Sequence, residues 1–144
     1  MPPAWRHLLS RAIFWLIAVF YAYGAFVHVS NMLGFRGSAW LDWPLKWQAF
    51  DVVYLVLDLV VAIGFVLAWQ PAIFAFFAAA LSQIVLYTVF RSWIIDVPAD
   101  IAPTAEEVAY LNSLVGFHLV SIALVLLALW LRKSPERSSP SPRT

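Results

Sequence analysis

Cysteine is missing from this chain altogether. Its absence removes disulfides, thiolate metal sites, iron–sulfur clusters and redox CxxC pairs, and with them membrane thiol-oxidase and quinone-linked disulfide chemistry. Charge is scarce as well: Asp, Glu, Lys and Arg make up 12% of the residues, with a formal net charge of +1. No basic face is clustered enough to hold a phosphate backbone, so nucleic acid is excluded as a partner. What fills the space is apolar. Hydrophobic residues account for 63% of the 144 positions, more than a soluble domain of that length could hide, and the length is that of one domain.

Four stretches, at about 12–34, 50–69, 72–95 and 106–131, can cross roughly 30 Å of hydrocarbon, which takes about 20 helical residues. Arg6 and Arg11 flank the first, and small residues around Ala22 and Ala25 mimic a signal-peptide cleavage site. The apolar run continues to Leu33, however, and Tyr21 and Tyr23 crowd that site, so an uncleaved helix is expected. Gln70 and Pro71 alone separate the second and third spans, which makes them antiparallel neighbours with Pro71 in a first helical turn. The third span ends before Asp96-Val97-Pro98, and Thr104 and Glu107 have capping-box spacing ahead of the fourth. From Arg132 a serine- and proline-rich tail, 132–144, has too few apolar residues to fold and is expected to be a disordered cytoplasmic end. The expected fold is all-α: an integral membrane protein in which one antiparallel four-helix bundle occupies residues 1–131.

Orientation follows from lysine and arginine, which are retained on the cytoplasmic side. Arg6, Arg11, Arg132, Lys133, Arg137 and Arg143 lie in the two tails, against Arg36, Lys46 and Arg91 on the other side, so both termini are expected inside. The opposite face carries Asp96, Asp100, Glu106 and Glu107. Trp5, Trp15, Trp69 and Trp130 fall near the inner boundary and Trp40, Trp43, Trp47 and Trp93 near the outer one, an aromatic belt at each interface. The outer loop from Gly34 to Gln48, with its Trp40–Trp47 run of aromatic and charged residues, reads as an interfacial anchor or as a lid over a cavity between the helices.

Polar residues inside the spans are costly unless they face one another, water or a ligand. Here they recur at helical spacing: Tyr21, Gly24, His28 and Asn31 in the first span, Asp51, Tyr54 and Asp58 in the second, Gln83, Tyr87 and Arg91 in the third, and Glu107, His118 and Ser121 in the fourth, where Leu114 interrupts the stripe. Converted to height, they crowd the outer half, with Asp58, Gln83 and His118 nearest mid-membrane. The inner half offers Ile13, Leu16, Ile63, Phe65, Phe74, Phe76, Val125 and Leu127 as an apolar floor. The picture is an outward-opening polar pocket.

Asp51, Arg91 and Glu107 sit where charges reach the interface, and Glu107 doubles as a helix cap. Tyr54 and Tyr87 read as core aromatics with a hydrogen bond before they read as acids. Asp58 lies deep enough that it must be neutral or paired with a cation, with His28 the nearest histidine by height and His118 deeper. His28, Asn31, Asp51, Tyr54, Asp58, Gln83, Tyr87, Arg91 and His118 are therefore the candidate ligand-binding or proton-relay residues. No metal motif occurs among them, and a height offset of roughly 9 Å between the two histidines argues against a bis-histidine haem. A quinone, sterol or other lipid fits better, its ring among the aromatics and its polar atoms on His28, Asp58 or His118. The rival is proton-coupled small-solute transport, which would require a homodimer because four helices show no internal repeat. Small residues at Ala75, Ala78, Ala79, Ala80 and Ser82 would permit close helix packing within the bundle or between copies.

The run Tyr23-Gly24-Ala25-Phe26-Val27-His28, Asp58 followed by Gly64, the tight polar turn and the alanine-rich third span resemble the DoxX-like group of small four-helix bacterial membrane proteins. The resemblance covers about residues 12–130. It implies an inner-membrane protein linked to a membrane redox complex, including quinone-reducing ones, with His28 and Asp58 as the polar positions held in common.

Overall fold

The computed structural model describes residues 4–35 and 37–133. Arg36 and the tail from Ser134 onward, with Arg137 and Arg143, lie outside the described residues. All regular structure among the described residues is helical: α1 (Ala4–Met32), a 3-10 turn (Trp40–Asp42), α2 (Leu45–Val66), α3 (Pro71–Thr88), α4 (Arg91–Ile95) and α5 (Ala105–Arg132). Helices α1, α2, α3 and α5 are long and apolar enough to cross a membrane. The shortest, α3 at 18 residues, covers about 27 Å at 1.5 Å per residue.

The helix ends differ from those read in the sequence, each for a local reason. At its start α1 begins at Ala4, before Arg6 and Arg11. Those arginines do not interrupt the helix, because Arg6 lies over the Trp130 ring at 5.0 Å and Arg11 over that of Trp15 at 5.9 Å. Likewise α2 starts at Leu45, directly after Pro44, and stops at Val66 rather than near 69. There Ala68 takes a left-handed φ of 55°, and Trp69 N–H reaches back to Gly64 O at 2.8 Å, a six-residue closure of the Schellman kind with alanine where glycine is usual. Pro71 does open α3, and Thr104 with Glu107 forms a reciprocal capping box on α5. The third span is divided: Phe90 N–H bonds Val85 O at 3.2 Å, closing α3 with a wide turn, and α4 follows as a separate short helix. Arg91 thus leaves the stripe of Gln83 and Tyr87.

In the packing, α1 meets α2 and α5, α3 meets the same two helices from the other side, and α4 lies against α3. At one end, Phe14 meets Phe65 edge-on at 4.8 Å, Phe76 meets Phe65 at 5.7 Å, and Ser10 Oγ donates to Ala128 O at 3.0 Å. Arg132 covers Phe14 at 4.8 Å. Of the eight residues expected to form an apolar floor, Ile13, Phe65, Phe76 and Val125 are buried there, whereas Leu16 (49%), Ile63 (57%), Phe74 (78%) and Leu127 (41%) are exposed on the outside of the helices. Depth alone selected those four. Helical phase puts their side chains on the outer face, where apolar residues are as welcome in a membrane as in a core.

Candidate functional site

At the opposite end, residues one turn apart on α1 and α2 converge. Asn31 follows His28 by three positions, while Asp51, Tyr54 and Asp58 share the buried face of α2. Asp51 gathers three groups: His28 Nδ1 lies 2.7 Å from its Oδ1, Asn31 Nδ2 donates to the same oxygen at 3.0 Å, and Trp40 Nε1 donates to Oδ2 at 2.9 Å. The 3-10 turn between α1 and α2 is thereby tied to the buried face of α2. The other imidazole nitrogen, His28 Nε2, faces Asp58 Oδ2 at 3.8 Å, too far for a hydrogen bond. Gly24 makes room for this carboxylate, since a methyl group built there would collide with Asp58 Oδ2. Tyr21, Tyr54 and Tyr87, one from each of three helices, all stand close enough to feel the charge of Asp58. Tyr21 Oη is buried without a hydrogen-bond partner among the described residues.

Tyr54 joins this cluster to a sizeable opening. Its ring stacks on His28 at 6.2 Å, and its hydroxyl donates to Ser82 Oγ at 3.1 Å, which in turn donates to Ala79 O. Tyr54 and Ser82 line an open groove of about 460 Å³ that is completed by Phe50, Val85, Leu86, Phe90 and Trp93. Apolar atoms dominate its surface. Helix α4 supplies Trp93, and it is held by α2: Lys46 Nζ donates to Trp93 O at 2.5 Å and Asp96 O at 2.6 Å, and Trp47 Nε1 donates to Ile94 O at 2.8 Å.

Of the nine candidates, His28, Asn31, Asp51, Tyr54, Asp58 and Tyr87 are brought into one neighbourhood. Gln83 and His118 form a separate buried pair, Gln83 Oε1 to His118 Nε2 at 2.9 Å, with His118 Nδ1 unbonded among the described residues. Arg91 is elsewhere again. It bonds Asn112 Oδ1 at 2.6 Å and Val108 O at 2.5 Å on α5, and so does not pair with Asp51. The polar side chains thus close on one another, and Tyr54 alone of the nine lines the groove. Among the described residues no three His, Cys, Asp or Glu side chains are grouped to hold a metal ion.

Trp40, Ser82 and Asn112 carry site contacts that the sequence did not reveal. Trp40 was read as part of the outer loop, and its bond to Asp51 spans 11 positions across an irregular segment. No periodicity encodes such a contact. Ser82 has the spacing of a small packing residue in the sequence, and its place one position before Gln83 is the only signal of its bond to Tyr54. The chain matches no protein-family model, no curated protein and no solved structure.

Proposed function

We propose that this protein crosses a bacterial-type inner membrane four times, as an antiparallel bundle with both termini cytoplasmic, and binds a lipophilic small molecule with a polar end, of which a quinone is the type. Membrane insertion is supported by the outward apolar surface of α1, α2, α3 and α5, a surface that water would not tolerate over so large an area. Arg6, Arg11, Arg132 and Lys133 at the end shared by the two chain termini support the orientation. The ligand's place is the groove beside Tyr54.

One observation carries the reading. A groove of about 460 Å³ falls within the roughly 300–1,000 Å³ of small-molecule sites, which are mostly apolar with a few placed polar groups. Here those groups are the Tyr54 and Ser82 hydroxyls, and Tyr54 backs onto the His28–Asp51–Asp58 cluster. A ring would lie among Phe50, Phe90 and Trp93, with a ligand hydroxyl donating to the oxygen of Tyr54 or Ser82, whose own hydrogens are engaged. An accessory role in a membrane redox complex, as the DoxX-like resemblance implies, would use the same groove.

Mass spectrometry of the lipophilic compounds that co-purify with the protein tests this. Val85→Trp, which fills the groove, should abolish occupancy. Tyr54→Phe should weaken it roughly fivefold, the value of one hydrogen bond of about 1 kcal/mol. Equal occupancy in wild type and both variants would overturn the proposal.

A further inference from the structure

The two buried aspartates of α2 are unequally provided for. Asp51 has donors on both oxygens, and one of them, the Trp40 indole, can only donate. With Asn31 also donating to it, Asp51 is an acceptor throughout, so the proton between it and His28 sits on Nδ1. The Nε2 edge of the ring is thereby turned to Asp58. Asp58, equally buried, receives no hydrogen bond from the described residues, and the one basic atom that faces it among them is that nitrogen, at 3.8 Å.

Formal charge sharpens the contrast. Two carboxylates and one imidazole leave a net charge of −1 even when the ring is fully protonated. Among the described residues the basic side chains nearby are engaged elsewhere: Arg91 on α5, Lys46 on the backbone at the end of α4. The groups facing Asp58 from the helices packed on α2 are His28 and Tyr21 of α1 and Tyr87 of α3, with Asp51 and Tyr54 on α2 itself. None is an obligate cation. An unmatched charge in such surroundings is expensive, and a proton is the smallest species that removes it.

We propose that Asp58 is a binding site for one exchangeable proton, and that Asp51 is a positioning residue that holds the His28 ring with Nδ1 protonated and Nε2 toward Asp58. Proton uptake forms an O–H bond on Asp58 and removes its negative charge from the cluster. Release restores the carboxylate, whose charge is then felt by Tyr54, the residue shared with the groove. The inference rests on the membrane-embedded reading of the chain and on no ligand, so it can fail while the groove's occupant stands, and the reverse.

The test is infrared spectroscopy of the full chain in lipid nanodiscs over a pH series, with no ligand added, beside nitrogen NMR of the histidines in the same samples. A carboxylic-acid carbonyl band that disappears as pH rises is expected in wild type, lost in Asp58→Asn, retained in Asp51→Asn and displaced in frequency in Asp58→Glu. A pH jump in weak buffer should release one more proton per chain from wild type than from Asp58→Asn. His28 Nδ1 should stay protonated in wild type and lose that exclusivity in Asp51→Asn, which a merely structural Asp51 would not cause. Where Asp58→Asn fails to fold, the displaced band of Asp58→Glu carries the assignment. A band absent from wild type, or unmoved in Asp58→Glu, overturns the proposal, as does a neutral Nδ1 in wild type.

Discussion

The two ends of the helices are held together by different means. Around Phe14, Phe65 and Phe76 the contacts are rings, small residues and a single serine hydroxyl. Around Asp51 they are hydrogen bonds whose donors have no other partner among the described residues. On the proposed membrane-spanning reading, burial of an apolar side chain between helices gains little over exposure to lipid, so the first end depends on shape. The second depends on completeness, because a polar group left unpaired there costs more than the bond itself gains. Shape tolerates no hole, and a hydrogen-bonded cluster tolerates no missing member.

Phe76→Ala should break the comparison most severely. The ring is fully buried against Tyr21, Phe65 and Phe77, and the cavity left by its removal is expected to cost about 2–3 kcal/mol, with no water-transfer contribution in lipid. Unfolding of the purified protein in mixed micelles with increasing denaturing detergent measures it. A loss below about 1 kcal/mol would mean that this end is not held by packing. Asp51→Leu comes next. It strands His28 Nδ1, Asn31 Nδ2 and the Trp40 indole; His28 and Trp40 are partly exposed and can turn to water, so the buried Asn31 donor sets the expected loss at about 1–3 kcal/mol. The same substitution frees the outer loop, so Trp40 fluorescence should shift as its hydrogen bond is lost, whereas Phe76→Ala should leave it unmoved. Equal fluorescence changes in the two variants would erase the distinction between the ends.

The polar end was also the more legible in the sequence, for a physical reason. A polar residue in an apolar span has few places to go, so the 3.6-residue repeat of Asp51, Tyr54 and Asp58, or of His28 and Asn31, identifies a buried face directly. Apolar residues carry no such information, since Leu16 and Phe74 suit lipid as well as Ile13 and Phe76 suit the core. Spacing placed His28 near Asp58, yet it could not show that Asp51 would take the histidine's other nitrogen, because that depends on the angle between two helices. The division of the third span at Phe90 was hidden likewise: no proline or glycine marks it, and the partners that hold α4, Lys46, Trp47 and Asn112, lie on α2 and α5. The groove beside Tyr54 follows from that division and was hidden with it.

A pair of glycines offers the finest test of the difference. A methyl group added at Gly64 would meet the Cβ of Ala72, a residue with no side chain to rotate away, so α2 and α3 must move apart. The same methyl at Gly24 would meet the end of the Asp58 side chain, which can swing aside. Gly64→Ala should therefore cost about 1–3 kcal/mol, as overpacked cores do. Gly24→Ala should come out near neutral in stability, because the alanine's advantage in a helix, about 0.5–1 kcal/mol, offsets the displaced carboxylate. Its effect should appear instead in the pH dependence of the Asp58 infrared band. Were Gly24→Ala the more destabilising of the two, the carboxylate would have to be fixed as rigidly as the alanine backbone, and the looseness of Asp58 that sets it apart from Asp51 would be gone.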